Sequence, residues 1–246
     1  MERYSATIMT WVSRIAFSLL LLTPAPAADV SGAVQLLHSR VPAVRKGRDY
    51  SGVVVWLDPL DGDAVGHPQR QTSLTMEQRN KRFIPHLLAA PVGAIVRFPN
   101  FDPIFHSAFS NFSGQIFDFG LYPPGTSRTV KFTRPGVIHI FCNIHPSMSA
   151  IIVVLKFPWF AVSDQSGAFT IPDVPDGEYR VRLFHERATQ ETLDVLERRL
   201  KVAGHNITLP PLNISESGYL ELPHKNKYGL DYPPESNNGT YSTGHK

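Results

Sequence analysis

One short segment constrains this chain more than any other. Cys142 is the only cysteine among 246 residues, and it begins residues 142–148, which read CNIHPSM. A thiol, an imidazole and a thioether therefore follow one another at the spacing Cys-x2-His-x2-Met. They can meet at one point only if the chain folds back directly after Cys142. We expect a strand that ends at Cys142 at the rim of a β-sandwich, followed by a loop over 143–147 that returns His145 and Met148 to the thiol.

The chemistry of these groups indicates a metal. Cysteine, histidine and methionine together supply what a blue-copper centre needs, which is a trigonal plane of two histidines and one cysteine with a weak, long axial methionine. Zinc is the main competitor for such ligands, but zinc sites use cysteine, histidine and carboxylate rather than methionine. The second histidine of such a plane must come from elsewhere in the chain.

The N-terminal segment predicts export. Residues 1–27 contain Arg3 and Arg14, then a short apolar run at 15–22 and an A-x-A-like site at 25–27, an order that is typical of a secretory signal peptide. The run is too short to cross a bilayer, and no later segment replaces it, so we expect a periplasmic protein with no membrane span. In an oxidising compartment free thiols normally pair. The lone Cys142 then forms an intermolecular disulfide, stays buried and inert, or binds a metal.

Charge gives little support for a nucleic-acid partner. Without residues 1–27 the chain keeps 22 basic and 20 acidic residues, a net charge of +2. No block rich in Lys or Arg stands out, so we expect no nucleic-acid binding.

Short apolar and β-branched runs bounded by Gly, Pro, Asn and Asp predict an all-β protein. The clearest strands are predicted at 30–37, 52–57, 94–98, 128–132, 137–141, 150–156, 168–171, 179–184, 198–202 and 206–209. A helical turn is predicted within 189–199. Residues 215–246 are polar and turn-rich, and we expect a tail that is poorly ordered or wraps the surface.

Four spaced features resemble the cupredoxin family. The first is the Cys-x2-His-x2-Met loop, with a proline after its histidine, which is similar to the ligand loop of amicyanin. Residues 92–100 (VGAIVRFPN) match the family's Gly-x-x-Val-x-Phe/Trp-x-Asn strand. The family's first histidine ligand follows that asparagine by six residues, which is His106 here. Gly136 also precedes Cys142 by six residues, as in the family. The resemblance implies a cupredoxin Greek-key β-sandwich over residues 72–157.

The resemblance also implies a ligand set and roles. One type 1 copper ion per chain would be bound by His106, Cys142 and His145, with Met148 as the weak axial ligand. His145 would be the electron exit, within an apolar collar formed by Phe105, Pro146 and Pro123–Pro124. Ser107 lies where the family has a residue that helps to hold the loop around the thiolate. Taken alone, His106 would be an ordinary histidine and Met148 a core side chain.

A second unit resembles another family. Residues 158–214 contain GAF at 167–169 and VPDGEYRV at 174–181, similar to the carboxypeptidase regulatory-like, transthyretin-type β-sandwich. Its first strands are missing from this segment, so we assign residues 28–71 to the same small sandwich, with the cupredoxin block inserted between its strands. The pairing of modules is similar to that of bacterial methylamine utilisation proteins. We infer no methylamine chemistry from that name.

We therefore predict a blue-copper protein that carries single electrons between redox partners, such as a cytochrome c or a dehydrogenase. Copper buffering or delivery is the alternative, but it usually needs Met- or His-rich tracts, and the chain has four methionines. Multicopper oxidases and nitrite reductases place a histidine beside the cysteine. Here Phe141 and Asn143 flank Cys142, so we predict no enzyme. A passive scaffold module would leave the Cys/His/Met cluster unexplained.

The other histidines are predicted to bind no metal. Strand alternation turns His139 to the face opposite Cys142, so we expect a structural role. A packing role is also expected for His185. The remaining histidines show no metal spacing and are predicted to be solvated: His38, His67, His86, His205, His224 and His245.

Overall fold

The computed structural model describes residues 27–61, 73–111, 114–220 and 224–233. Its strands are β1 (Ala27–Leu37), β2 (Val54–Pro59), β3 (Ser73–Thr75), β4 (Glu77–Arg79), β5 (Arg82–Ile84), β6 (Leu87–Pro91), β7 (Ile95–Pro99), β8 (His106–Ser110), β9 (Phe117–Tyr122), β10 (Ser127–Lys131), β11 (Gly136–Phe141), β12 (Ser149–Leu155), β13 (Phe160–Val162), β14 (Ala168–Pro175), β15 (Gly177–Phe184), β16 (Arg198–Val202), β17 (Ile207–Thr208) and β18 (Leu212–Ser215). Its helices are α1 (Pro42–Gly47) and α2 (Gln190–Leu196).

The strands before residue 61 and after residue 159 share one hydrophobic core. One sheet has the order β14-β1-β17, with β18 also paired to β1, and the other has the order β13-β2-β15-β16. Alternate residues of β1 and β2 point into the core, among them Val30, Val34, Val55 and Leu57. This period of two is what a sheet with one buried face requires. Strands far apart in sequence therefore form a single β-sandwich.

The residues between them form a second core. Its two sheets have the orders β10-β7-β3 and β6-β12-β11-β8-β9, and a small β4-β5 hairpin lies beside them. The aromatic rings of Phe83, Phe98 and Phe132 fill this core together with aliphatic side chains of β11 and β12. Cys142 and Met148 belong to the same buried cluster.

Strand β12 is buried on both faces and joins the two cores. Ala150, Ile152 and Val154 point into the second core. The alternate residues Ile151 and Val153 pack with Val54 of β2 in a separate buried cluster between the sandwiches. This double burial explains the continuous apolar sequence of β12, because a strand covered on both faces has no polar side. Fully burying each such side chain contributes about 1.5–3 kcal/mol.

The prediction of an all-β fold is confirmed. The helical turn predicted within 189–199 is present as α2, which begins after Thr189, whose side chain accepts a hydrogen bond from the Thr192 amide. Helix α1 was not predicted, because its six residues bury only Val44 and carry little periodicity. Among the described residues, neither helix has the length and apolar character needed to cross a membrane.

Several predictions fall outside the described residues. They are the signal peptide, apart from Ala27 at the start of β1, the boundary between residues 71 and 72, and the histidines His67 and His245. The assignment of residues 28–71 and 158–214 to a carboxypeptidase regulatory-like sandwich stays a prediction. The structure shows that strands on either side of the second core pair with each other, β1 with β14 and β2 with β15.

Substitution of Gly167 tests how closely the turn before β14 must approach the backbone of β1. Its φ is +87°, and a Cβ atom there would lie 2.2 Å from the Val34 carbonyl oxygen. We expect Gly167→Ala to lower the free energy of unfolding by about 1–3 kcal/mol, because that backbone oxygen has to move. Gly204→Ala is the matched control, since its φ is +67° and no atom lies within 4 Å of the added Cβ. Equal losses in chemical denaturation of the two variants would contradict the close approach.

Candidate metal centre

The alternation of β11 delivers the cysteine to the interior. Ile138, Ile140 and Cys142 point into the second core. His139 and Phe141 lie on the opposite face, where their rings stack with centroids 6.2 Å apart. The predicted orientation of His139, away from Cys142, is confirmed. The thiol therefore lies where the strand ends, within a packed core rather than on a free loop.

Two backbone hydrogen bonds close the loop that follows. The Cys142 amide donates to the Met148 carbonyl at 3.0 Å, and the Met148 amide donates to the His145 carbonyl at 3.0 Å. The loop is thus the connection of a β-hairpin, since β11 and β12 pair from Phe141↔Ser149 onward. Met148 is fully buried and belongs to the same core cluster as Cys142.

His106 reaches the same point from β8. The segment before it is held by Asn100, whose side-chain oxygen accepts from the Asp102 amide at 3.0 Å and whose amide group donates to the Ile104 carbonyl at 2.8 Å. Both partners are backbone groups, so the side chain of Asn100 fixes the path of residues 100–104. This is a physical reason for an asparagine six residues before the histidine. His106 itself is fully buried.

The three predicted planar ligands form a compact triangle of donor atoms. His106 Nδ1 lies 3.2 Å from His145 Nδ1, and Cys142 Sγ lies 3.9 Å from His106 Nδ1 and 3.6 Å from His145 Nδ1. The centre of a triangle with these sides is about 2 Å from each corner, which is the length of metal–nitrogen and metal–sulfur bonds at such sites. Within the described ranges, this is the one group of histidine, cysteine and acidic side chains close enough together to bind an ion.

The orientation of the His106 ring also suits a metal ligand. With Nδ1 turned toward Cys142, its Nε2 lies 2.7 Å from Asp102 Oδ2. Metal-binding histidines usually donate their second ring N–H to a carboxylate or carbonyl, which fixes the ring and its tautomer. Asp102 is held in turn by the backbone amides of Asn80 and Lys81, at 2.6 and 2.8 Å. Burial opposes ionisation of Asp102, but these hydrogen bonds and the one to His106 lower its pKa.

Ser107 connects the thiol to the loop, as predicted. Its hydroxyl accepts from the Asn143 amide at 2.7 Å and lies 3.7 Å from Cys142 Sγ. Burial alone would raise the pKa of the Cys142 thiol, but hydrogen bonds from His106 and His145, with backbone contributions from Ser107 and Ile144, lower it to about 5. For His106, burial lowers the pKa, while the hydrogen bonds to Cys142 and Asp102 raise it above the usual value.

The donor set fits a soft metal in a trigonal site. A thiolate and two imidazoles, with the thioether of Met148 buried in the same core cluster, match the ligand types of blue-copper sites. The carboxylate of Asp102 contacts the far nitrogen of His106 and is therefore not available as the fourth ligand that a zinc site would use. The structure brings His106, Cys142 and His145 together and buries Met148 with them. The assignment of these four residues as ligands stays a prediction.

Two features of the site escaped the sequence. One is Asp102: its position four residues before His106 did not by itself indicate that its carboxylate contacts the histidine ring. The other feature is the segment 224–233, which covers the outside of the ligand loop: the His224 ring stacks on Phe141 at 4.2 Å, and the Tyr232 hydroxyl donates to the Cys142 carbonyl at 2.9 Å.

The prediction that His224 is solvated is wrong, because its ring is packed between Phe141 and Tyr232. His38, His86 and His205 are exposed, as predicted, although His86 also pairs with Glu186 at 2.6 Å. His185 is buried and hydrogen-bonded to Glu216 at 2.9 Å, which agrees with a packing role.

Comparisons with known proteins give partial likenesses. No protein-family model matches this chain, and no curated protein matches it. Among solved structures, an oxidised mutant of amicyanin is 16% identical over 33% of this chain and 81% of its own length, with a TM-score of 0.32. A purple cupredoxin from Nitrosopumilus maritimus is 22% identical over 35% of this chain and all of its own, with a TM-score of 0.31.

A copper-containing nitrite reductase from Thermus scotoductus SA-01 is 23% identical over 50% of this chain and 28% of its own length, with a TM-score of 0.33. These identities and scores are low, so the choice of metal depends on the donor atoms and not on the likeness. The resemblance of the other sandwich to carboxypeptidase regulatory-like modules, and of the whole to methylamine utilisation proteins, stays a prediction.

Asp102→Asn should weaken metal binding without removing a ligand. The amide keeps the shape of Asp102, but it lacks the negative charge that orients the His106 ring, and its NH2 group replaces an oxygen that accepts from the Asn80 or the Lys81 amide. We expect copper affinity to fall about 10–100-fold, as for other partners of metal-bound histidines. Competition against a chelator of known affinity measures this. Asp58→Asn, which affects only a partly exposed contact to Arg182 in the other sandwich, is the control and should leave the affinity unchanged.

The metal-free thiol should ionise far below its usual pH. Folding lowers the pKa of Cys142 from 9.0 to about 5, so the thiolate stabilises the folded state. That contribution is complete above pH 9.0, declines as the pH falls, and is lost once the pH passes through about 5. Ultraviolet thiolate absorbance of the metal-free protein, with Cys142→Ser as blank, follows the titration. A midpoint near 9.0 would contradict the hydrogen bonds described at the sulfur.

Proposed function

We propose that this protein is a type 1 blue-copper protein that carries single electrons. The observation that supports it most is the buried triangle of His106 Nδ1, Cys142 Sγ and His145 Nδ1, with sides of 3.2 to 3.9 Å, beside the buried Met148. When bound, copper would supply a one-electron couple between Cu(I) and Cu(II). The protein would supply its ligands, their hydrogen bonds and their burial, which together set the potential.

The surroundings of the site favour electron transfer with little movement of the ligands. Asp102 fixes the His106 ring, Ser107 fixes the Asn143 amide, and the Cys142–Met148 backbone bond closes the loop. Each contact restrains a ligand or its neighbour independently of a metal. A site held in this way changes little between oxidation states, so little energy is spent on moving ligands when an electron arrives or leaves.

The same surroundings favour a carrier over an enzyme. Phe141 and Asn143 flank Cys142, so no histidine beside the cysteine leads to a second metal centre. His145 is 9% exposed and is the ligand through which we propose that electrons leave. The loop before His106 adds the exposed rings of Phe101 and Phe105, which suit transient contact with another redox protein. The signal-like residues 1–27 support work in the periplasm.

Addition of Cu(II) to the purified protein tests the proposal directly. We expect an intense blue thiolate-to-copper absorption band and narrow copper hyperfine splitting in the electron paramagnetic resonance spectrum, both absent from Cys142→Ser. The reduced protein should then give its electron to an oxidised c-type cytochrome in stopped-flow measurements. A colourless complex would contradict the type 1 site. A blue complex that exchanges copper readily but gives no electron to the cytochrome would favour buffering or delivery.

Two methionines allow a matched test of the axial ligand. Met148→Leu should keep the blue band and change the reduction potential, because it replaces the proposed weak ligand by an apolar side chain of similar size. Met76→Leu is the control, since Met76 is equally buried in the same core and is not a predicted ligand. Equal potentials in all three proteins would show that Met148 is core packing.

A further inference from the structure

Residues 224–233 form a compact strap near the C-terminus. Asn226 organises it: its side-chain oxygen accepts from the Tyr228 and Leu230 backbone amides at 2.9 and 3.1 Å, and its own backbone amide donates to the Leu230 carbonyl at 2.9 Å. Gly229, with φ +76°, makes the turn. These bonds are internal to the strap, so it holds its shape while lying on another part of the molecule.

The strap contacts three consecutive residues centred on the cysteine. His224 stacks on the Phe141 ring at 4.2 Å, the Tyr232 hydroxyl donates to the Cys142 carbonyl at 2.9 Å, and the Lys227 amide donates to Asn143 Oδ1 at 2.9 Å. None of these contacts uses a predicted ligand atom. The Tyr232 hydroxyl holds the Cys142 backbone and the other two contacts hold the side chains of its neighbours, whereas Ser107 accepts from the Asn143 backbone amide.

A charge pair fastens the strap to β9. Lys227 Nζ lies 2.8 Å from Asp118 Oδ2, with side chains 23% and 43% exposed, so the pair adds little energy by itself. The ion pair matters for where it lies: the backbone amide of the same Lys227 donates a hydrogen bond to Asn143, so the pair holds the strap next to the ligand loop. The Tyr232 side chain is half-buried, and its hydroxyl, which donates to the Cys142 carbonyl, also lies 3.2 Å from His224 Nδ1 within the strap.

We propose that Tyr232, carried by this strap, is a positioning residue that holds the Cys142 carbonyl and keeps the ligand loop closed around the thiol. In the metal-free protein the closed loop shields the thiol from reagents. With copper bound, which depends on the function proposed above, the same hydrogen bond draws electron density from the Cys142 peptide and away from the thiolate. Its loss then favours Cu(II) and lowers the reduction potential.

The first experiment uses the full-length, metal-free protein and needs no copper. Cys142 is fully buried and is the only cysteine, so alkylation by iodoacetamide reports local opening of the loop. We expect Tyr232→Phe, which removes the donor and keeps the ring, to react about five-fold faster, the effect of one lost hydrogen bond. Tyr228→Phe is the matched control, because Tyr228 lies in the strap but is 71% exposed.

The second experiment measures the reduction potential of the copper form of the same variants. A lower potential and faster alkylation in Tyr232→Phe, with Tyr228→Phe unchanged, would support the role of Tyr232. Unchanged alkylation in Tyr232→Phe, or equal acceleration in both variants, would overturn it. If Tyr232→Phe alkylates faster but the protein forms no blue-copper complex, the strap still positions the loop, and the function proposed above is what fails.

Discussion

The hydrogen bond from the Cys142 amide to the Met148 carbonyl is the contact on which the candidate site depends. It makes residues 143–147 the connection of a hairpin between β11 and β12, whose register begins at Phe141↔Ser149. Both strands lie in the second core, so the connection starts and ends on fixed points. A loop tied at its base in this way keeps thiol, imidazole and thioether together without a metal to gather them.

The other sandwich supports the same hairpin. Strand β12 packs Ile151 and Val153 against β2, and His86 adds a polar link just after Met148. Its Nδ1 lies 3.1 Å from the Ser149 carbonyl, while its Nε2 pairs with Glu186 of the other sandwich at 2.6 Å. Because β12 serves both cores, the end of the ligand loop is attached to each of them. The small sandwich is thereby a structural support for the site.

Several buried polar groups at the site are linked by hydrogen bonds in one connected chain. Asp102 accepts hydrogen bonds from two backbone amides and contacts His106 Nε2. The Nδ1 atom of the same imidazole lies near the sulfur of Cys142, and the Ser107 hydroxyl also lies near that sulfur. Buried charges without partners are costly, so such a chain is expected where a thiolate is held inside a protein. The Nδ1 atom of each imidazole is directed toward the sulfur. That arrangement is preorganised for a soft metal ion.

The sequence determined the parts that depend on short spacing. The ligand loop spans seven residues, and Asn100 fixes the path to His106 through backbone groups within four residues, so local pattern was sufficient to place both. Strand alternation likewise oriented His139. Only the tertiary structure decided the contacts between distant segments: β1 with β14, Asp102 with the turn at Asn80, and Tyr232 with Cys142, 90 residues away. Such contacts form when loops of many residues close, and the cost of closure depends weakly on loop length. Many pairings were therefore compatible with the sequence pattern, and the packing of the two cores selected one.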